Sequence, residues 1–290
     1  AIQNEAGYSP KALLFADDVA WLGEIDRIQP ITFAIQVALA TLWRACGIEP
    51  TTCIGHSMGE VAAACVCGFL TLPDAARIIC QRSRLMLRVR GQGAMALVEL
   101  PQAEMQQEID RLDPALANTL SVAVANSPTS TVIAGAPDAV QQLVTLLHTR
   151  GLFARPIKVD VASHSPQMDP LLQPLLDELG AIVPQTGTVR LISTVTGEEY
   201  APADGVPPLA AEYWAKNLRR PVQFGAAVQK AITAGETHFV EISPHPLLIA
   251  AIEENLAFTQ QTGSALASMT RDEATPCDTF LHSLATLYEQ

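Results

Sequence analysis

Apolar residues recur at three- and four-residue spacing from Pro30 to Cys46 (PITFAIQVALATLWRAC), and the run stops before Gly47. That spacing is the signature of a helix with one buried stripe. Pro30 suits a first helical turn, because the N–H it lacks would have no partner there. The pattern therefore predicts a buried helix over 30–46. The short β-rich run Thr51-Thr52-Cys53-Ile54 follows, then a glycine-flanked turn from Gly55 to Gly59, then an alanine-rich stretch from Glu60 to Phe69. These predict strand, sharp turn and helix, with Ser57 on the elbow between strand and helix.

From Ala94 the texture changes. AMALVEL alternates as a strand, residues 101–113 read as an amphipathic helix, and SVAVANS at 121–127 reads as a second strand. A Pro-Thr-Ser turn leads into STVIAGA, a helix through Arg150 and a last strand from Phe153 to Asp160. The order β-α-β-β-α-β is that of a ferredoxin-like unit. Beyond it, helices near 167–180 and 222–234 alternate with strands at Val189–Thr194 and at 238–242 (HFVEI). The expected fold is α/β: an α/β-hydrolase-like large subdomain, residues 1–93 and 160–290, with a ferredoxin-like small subdomain inserted at 94–159. The Pro-rich segments 201–208 and 243–246 are expected to be loops within the large part.

Composition narrows the function classes. The 290 residues are 49% hydrophobic and 17% charged, the balance of a folded globular chain. A net charge of −12, with no basic cluster, argues against a nucleic-acid groove. The six cysteines lie mostly in apolar runs, with no Cys-x-x-Cys pair and no histidine at ligand spacing. They are expected to be reduced core thiols, with no metal site, which suggests the cytoplasm. No 18-residue apolar run or signal peptide occurs, so neither a membrane span nor an export address is expected. The chain begins in mid-pattern without Met, like a piece of something longer.

The candidate chemistry centres on Gly55-His56-Ser57-Met58-Gly59. Gly-x-Ser-x-Gly leaves room for a strained serine whose hydroxyl stands exposed at the head of a helix. The N–H of Met58 would then face a developing oxyanion. A serine nucleophile needs a base. Of the six histidines, His148 and His282 lie on helices expected to be solvated, His238 opens a strand, and His56 would point away from the elbow. His164, in the loop returning from the small subdomain, and His245, in a Pro-flanked loop, both stay open on pattern alone. Arg82, taken by itself, reads as a solvated helix charge.

Six segments together resemble the acyltransferase domain of modular type I polyketide synthases. They are Gly55-His56-Ser57-Met58-Gly59-Glu60, Gln81-Arg82-Ser83-Arg84, Gly93-Ala94-Met95-Ala96, Val161-Ala162-Ser163-His164-Ser165-Pro166-Gln167, Asn217-Leu218-Arg219-Arg220-Pro221-Val222 and Glu241-Ile242-Ser243-Pro244-His245-Pro246. They come in the family's order and spacing and span nearly the whole chain; the discrete malonyl-CoA:acyl carrier protein transacylases are also similar. The resemblance implies that Ser57 takes an acyl group from acyl-CoA with His164 as base, and passes it to the phosphopantetheine thiol of an acyl carrier protein. It implies that Arg82 pairs with the free carboxylate of a malonyl-type unit, and that the backbone carbonyl at Asn217 holds the imidazole in its working tautomer. Met58 would be an oxyanion donor. His56, Asn126 and Gln167 would support the site from behind, and His245 would be structural. No cofactor is expected to stay bound.

One departure stands out. The family places a second oxyanion donor in an N-terminal Gly-Gln-Gly turn upstream of the helix at 30, and no such segment precedes Ile31; Gly91-Gln92-Gly93 is a different place in the pattern. A chain lacking that donor would be expected to lose on the order of 10²–10³ in rate.

The tetrapeptide Val161-Ala162-Ser163-His164 occupies the family's specificity position, where His-Ala-Phe-His tends to accompany malonyl and Tyr-Ala-Ser-His methylmalonyl units. Ser163 in place of Phe leaves volume for an α-methyl branch and Val161 in place of Tyr widens the entrance, so methylmalonyl is favoured over malonyl. An acidic carrier protein is expected to dock on local arginines, Arg88 with Arg90 or Arg219 with Arg220, beside neighbouring synthase domains, and the isolated domain is expected to be monomeric. A serine hydrolase and an inert docking module are the alternatives: acyl-enzyme lifetime separates a hydrolase from a transferase, and intact mass after incubation with acyl-CoA separates all three.

Overall fold

The computed structural model describes residues 1–271 and 277–289. Strands β1 (Thr52–Ile54), β6 (Arg190–Ile192) and β7 (Glu199–Tyr200) form one sheet, with β1 parallel to β6 and β7 antiparallel at its edge. A second parallel pair joins β8 (His238–Glu241) to β9 (Ser264–Ala267). Between β1 and β6 the chain leaves to build a four-stranded antiparallel sheet from β2 (Ala94–Val98), β3 (Leu120–Ser127), β4 (Ser130–Gly135) and β5 (Ala154–Ile157) in the order β3-β4-β2-β5. Helices Gln102–Asp110 and Pro137–Thr149 complete the βαββαβ unit. The chain is thus α/β, a hydrolase-like layer carrying a ferredoxin-like insert.

Each part buries its own apolar set. Val61, Phe69, Ile78, Ile79, Leu175 and Trp214 belong to the main core, while Val98, Met105, Ile133, Leu143 and Leu147 fill the space between the four-stranded sheet and its helices. A third cluster joins the two, with Val124 and Val132 of the insert packed with Val222, Phe224, Val228 and Ile252. The seam is also hydrogen-bonded: Ala125 N–H donates to the carbonyl of Val222 at 2.9 Å, and Val222 N–H to that of Ala123 at 2.9 Å. The segment after Arg220 is therefore pinned to the edge of the small sheet.

Several elements differ from the sequence expectation. The first long helix runs from Ile25 to Ala45, so Pro30 lies inside it rather than at its start. Proline cannot bond the carbonyl one turn back; that carbonyl, on Asp26, accepts instead from the hydroxyl of Tyr8 at 3.0 Å. The last strand of the insert stops at Ile157, which leaves 158–165 to run as a loop to His164. The helix Ala211–Arg219 and the strands β7 and β9 have no counterpart in the sequence expectation, whereas the helix expected around Arg82 runs from Leu72 to Met86. All six cysteines are free, with Cys67 and Cys80 buried, but Cys277 is exposed rather than in the core. No helix among the described residues is long and apolar enough to cross a membrane.

Candidate active site

The elbow is built by close packing. A Cβ at Gly55 would lie 2.1 Å from the Cα of Glu60, so β1 can turn this tightly into the helix Gly59–Val66 only with glycine there. Gly59 is less constrained, since a Cβ on it would meet only the side chain of Gln36, at 3.6 Å. Ser57 at the crest has φ 53°. A non-glycine residue in that region is uncommon and strained, and such residues gather at functional sites. The N–H groups of Gly59, Glu60 and Val61 go to the carbonyls of His56, Ser57 and Met58, leaving that of Met58 outside these turns at the head of the helix.

His164 is the other strained non-glycine residue near the site, with φ 61°. Its Nε2 lies 2.7 Å from Ser57 Oγ, which separates it from His245, whose Nδ1 faces Thr270 at 3.3 Å. The helix Ala211–Arg219 and the residue that caps it hold His164 by two carbonyls: its N–H donates to Leu218 O at 3.1 Å, and its Nδ1–H to Arg220 O at 2.9 Å. With Nδ1 protonated, Nε2 carries the lone pair that faces the serine hydroxyl. The carbonyl bonded to Nδ1 is therefore that of Arg220, three residues beyond the expected Asn217. The reason is that Arg220 is extended (φ −80°, ψ 155°), so its carbonyl is free of the helix and can turn to the ring. Asn217 contributes its side chain instead, Nδ2 donating to Ser57 O at 3.2 Å and to Glu60 at 3.0 Å.

Arg82 corrects the reading of a solvated charge. On Leu72–Met86 the buried stripe runs through Ala75, Ile78, Ile79, Arg82 and Leu85, which puts the guanidinium on the apolar side, 2% exposed. One terminal nitrogen donates to Ser57 Oγ at 3.2 Å, while Nε and the other terminal nitrogen have no partner. Burial lowers the Arg82 pKa to about 10. Burial first, then the charge of Arg82, pushes His164 down to about 3, so the imidazole is neutral at physiological pH. A neutral base on a serine hydroxyl, beside a buried cation with two donors to spare, is a site that can activate the serine and take an anionic ligand.

The remaining expected residues fall into place unevenly. His56 Nε2 pairs with Asn126 Oδ1 at 3.1 Å, and its ring meets Phe224 edge-on. Gln167 Nε2 donates to the carbonyl of Gln92 at 2.7 Å, tying the His164 loop to the Gly91–Gly93 turn. A Cβ on Gly93 would lie 2.1 Å from Ala162 N, so Ala162 is locked into backbone packing. Val161 is a buried member of the main core and does not widen an entrance; of the three specificity candidates only Ser163 is partly exposed. Among the proposed docking arginines, Arg90 is tied to Glu24 and Asp160 and Arg219 to Asp169, while Arg88 and Arg220 are exposed and form no salt bridge among the described residues. No group of three or more His, Cys, Asp or Glu among the described residues could hold a metal ion. Glu60, Thr194 and Tyr213, which form a buried cluster behind the elbow, were missed. An acid three residues after the serine looks like an ordinary first-turn helix residue.

Fold and site together define an acyltransferase. The chain belongs to the acyl transferase domain family, whose model matches residues 1–289. It is 44% identical over 277 residues to a mycocerosic acid synthase-like polyketide synthase of Mycolicibacterium smegmatis, covering 95% of this chain and 13% of that protein. Over 275 residues it is 42% identical to the phthioceranic/hydroxyphthioceranic acid synthase of Mycobacterium tuberculosis, covering 95% and 12%. The acyltransferase domain from module 8 of the salinomycin polyketide synthase superposes with a TM-score of 0.92 at 35% identity, covering 99% of this chain and 66% of that one. The chain thus spans about an eighth of the length of these two synthases.

Proposed function

We propose that the domain moves an α-carboxyacyl unit from CoA to Ser57 and then to the phosphopantetheine thiol of an acyl carrier protein. His164 Nε2 takes the Ser57 hydroxyl proton as Oγ attacks the thioester carbonyl, and the Met58 N–H faces the oxyanion. His164 returns that proton to the departing CoA sulfur. The carrier thiol then repeats the sequence in reverse, leaving Ser57 free. The Arg220 carbonyl holds the imidazole so that Nε2 always faces the serine.

The observation that most supports this reading is the 2.7 Å contact between Ser57 and His164 beside a buried Arg82 with two unused donors. A free carboxylate paired with Arg82 would satisfy those donors and draw the guanidinium charge away from His164. That would raise the basicity of the imidazole when the correct acyl group is present. Partial exposure of Ser163 supports a branched unit, methylmalonyl over malonyl. Exposed Arg88 and Arg220 support carrier docking, and residues 94–159 are proposed as the inserted subdomain, in a domain that works in the cytoplasm.

Incubation with methylmalonyl-CoA and malonyl-CoA followed by intact-mass measurement tests the reading. A mass increase of one acyl group, absent in Ser57→Ala and in His164→Ala, is expected. A persistent adduct on Ser57→Ala overturns the assignment, and rapid release as free acid in the absence of a thiol would point to a hydrolase.

A further inference from the structure

Behind the elbow lies a fully buried carboxyl group that the mechanism above does not use. Glu60 is 0% exposed, and four polar groups face it. Tyr213 Oη at 2.5 Å and Thr194 N at 3.2 Å face Oε1; Asn217 Nδ2 at 3.0 Å and Thr194 Oγ1 at 3.0 Å face Oε2. Two of these neighbours also hold the elbow's own carbonyls. Asn217 Nδ2 donates its second hydrogen to Ser57 O at 3.2 Å, and Thr194 Oγ1 lies 2.8 Å from Gly55 O.

The protons can be counted. Ser57 O only accepts, so the amide nitrogen of Asn217, not its oxygen, faces it and Glu60. Ser193 Oγ, 2.5 Å from Tyr213 Oη, gives its proton there, which frees the Tyr213 proton for Oε1. Thr194 has one hydroxyl hydrogen for two oxygens, and the shorter contact, to the Gly55 carbonyl, takes it. The 3.0 Å approach of Oε2 to Thr194 Oγ1 is then best satisfied by a hydrogen on Glu60, in preference to one Thr194 hydrogen shared between two acceptors. Burial, which pushes the Glu60 carboxyl above its ordinary range, works in the same direction.

We propose that Glu60 is a neutral carboxylic acid that positions the nucleophile against its base. It straps the Gly55 and Ser57 carbonyls, through Thr194 and Asn217, to the end of the helix whose Leu218 and Arg220 carbonyls hold His164. The strap keeps Ser57 in its left-handed conformation and fixes the 2.7 Å contact with His164. A positioning role of this kind moves the rate of acylation and not the affinity for the thioester, since Glu60 is walled off from any ligand.

The inference rests on the Ser57–His164 reading, and Glu60→Gln in the whole chain tests it. Glutamine keeps the carbonyl that accepts from Tyr213 and Thr194, and its amide can still donate to Thr194. It faces Asn217 Nδ2 donor to donor, however, and so cuts the strap to Ser57 O. With methylmalonyl-CoA and malonyl-CoA as probes, the acylation rate at saturation should fall about 10- to 100-fold with KM changed by less than about twofold. The infrared difference spectrum between wild type and variant should contain the C=O stretch of a protonated carboxyl. If Glu60→Gln does not fold, Thr194→Val, which removes only the hydroxyl link, should show the same split with a smaller loss. Wild-type acylation in a folded variant, a loss carried by KM, or a spectrum with carboxylate stretches alone overturns the proposal. Ser57→Ala run in parallel keeps the two readings apart: an adduct there sinks the Ser57 assignment, whereas a silent Ser57→Ala beside an unimpaired Glu60→Gln sinks the strap alone.

Discussion

The proposed function gives Arg82, His164 and Ser163 control of what the pocket accepts and how fast it reacts. Arg82→Ala removes the buried cation, so dicarboxylic acyl groups should lose their advantage while acetyl loading rises relative to methylmalonyl loading; competition between the two thioesters on Ser57, read by mass, checks this. Loss of that charge also relieves His164, whose base form is held at low pH by burial and by Arg82. In the native domain acylation should therefore show no acid limb near the ordinary histidine pKa of about 6.5. In Arg82→Gln the limb should move to higher pH, because a nearby positive charge no longer opposes protonation. Ser163→Phe fills the one partly exposed specificity position and should shift the malonyl to methylmalonyl acylation ratio by about 10-fold or more toward malonyl. An unchanged ratio would move specificity elsewhere in the pocket.

At the scale of elements, the site is held by three short connections meeting in the middle of the fold. The elbow between β1 and Gly59–Val66 needs Gly55, the loop carrying His164 leans on Gly93, and the end of Ala211–Arg219 supplies the carbonyls for His164. Gly93→Ala would force a Cβ to within 2.1 Å of Ala162 N, backbone that cannot step aside. It should cost about 1–3 kcal/mol of stability. It should also slow acylation, because Ala162 lies two residues before His164; urea unfolding and the acylation rate together check this. The elbow and the insert were legible in the sequence because both depend on local signals, glycine spacing and strand alternation. The Ala211–Arg219 helix was not, since Tyr213, Trp214 and Asn217 among its six buried positions mix polar and aromatic residues and blur the apolar period.

For the molecule as a whole, two buried groups near the elbow pull stability in opposite directions with pH. The folded pKa of His164 is depressed, so the unfolded chain binds the extra proton and stability falls as pH drops from about 6.5 toward about 3. The folded pKa of Glu60 is raised, so the unfolded chain releases a proton that the folded one keeps, and stability falls as pH rises above the ordinary carboxyl range. Thermal unfolding across neutral pH should accordingly show Glu60→Gln gaining on wild type as pH rises. A difference that stays constant from about pH 5 to pH 8 would mean that the carboxyl is ionised in the fold.

The sequence by itself determined the α/β order, the insert, the Ser57 elbow and the family, because these are written in short-range periodicity and in motifs whose spacing survives without coordinates. Tertiary structure alone decided which histidine meets Ser57, that the imidazole hangs on Arg220 rather than Asn217, that Arg82 is buried, and that Glu60, Thr194, Tyr213 and Asn217 converge behind the nucleophile. Ser57 and Asn217, which are hydrogen-bonded there, are 160 residues apart along the chain. A backbone carbonyl carries no residue identity to read, and a charge on an apolar stripe shows its burial only when the stripe has something to pack against.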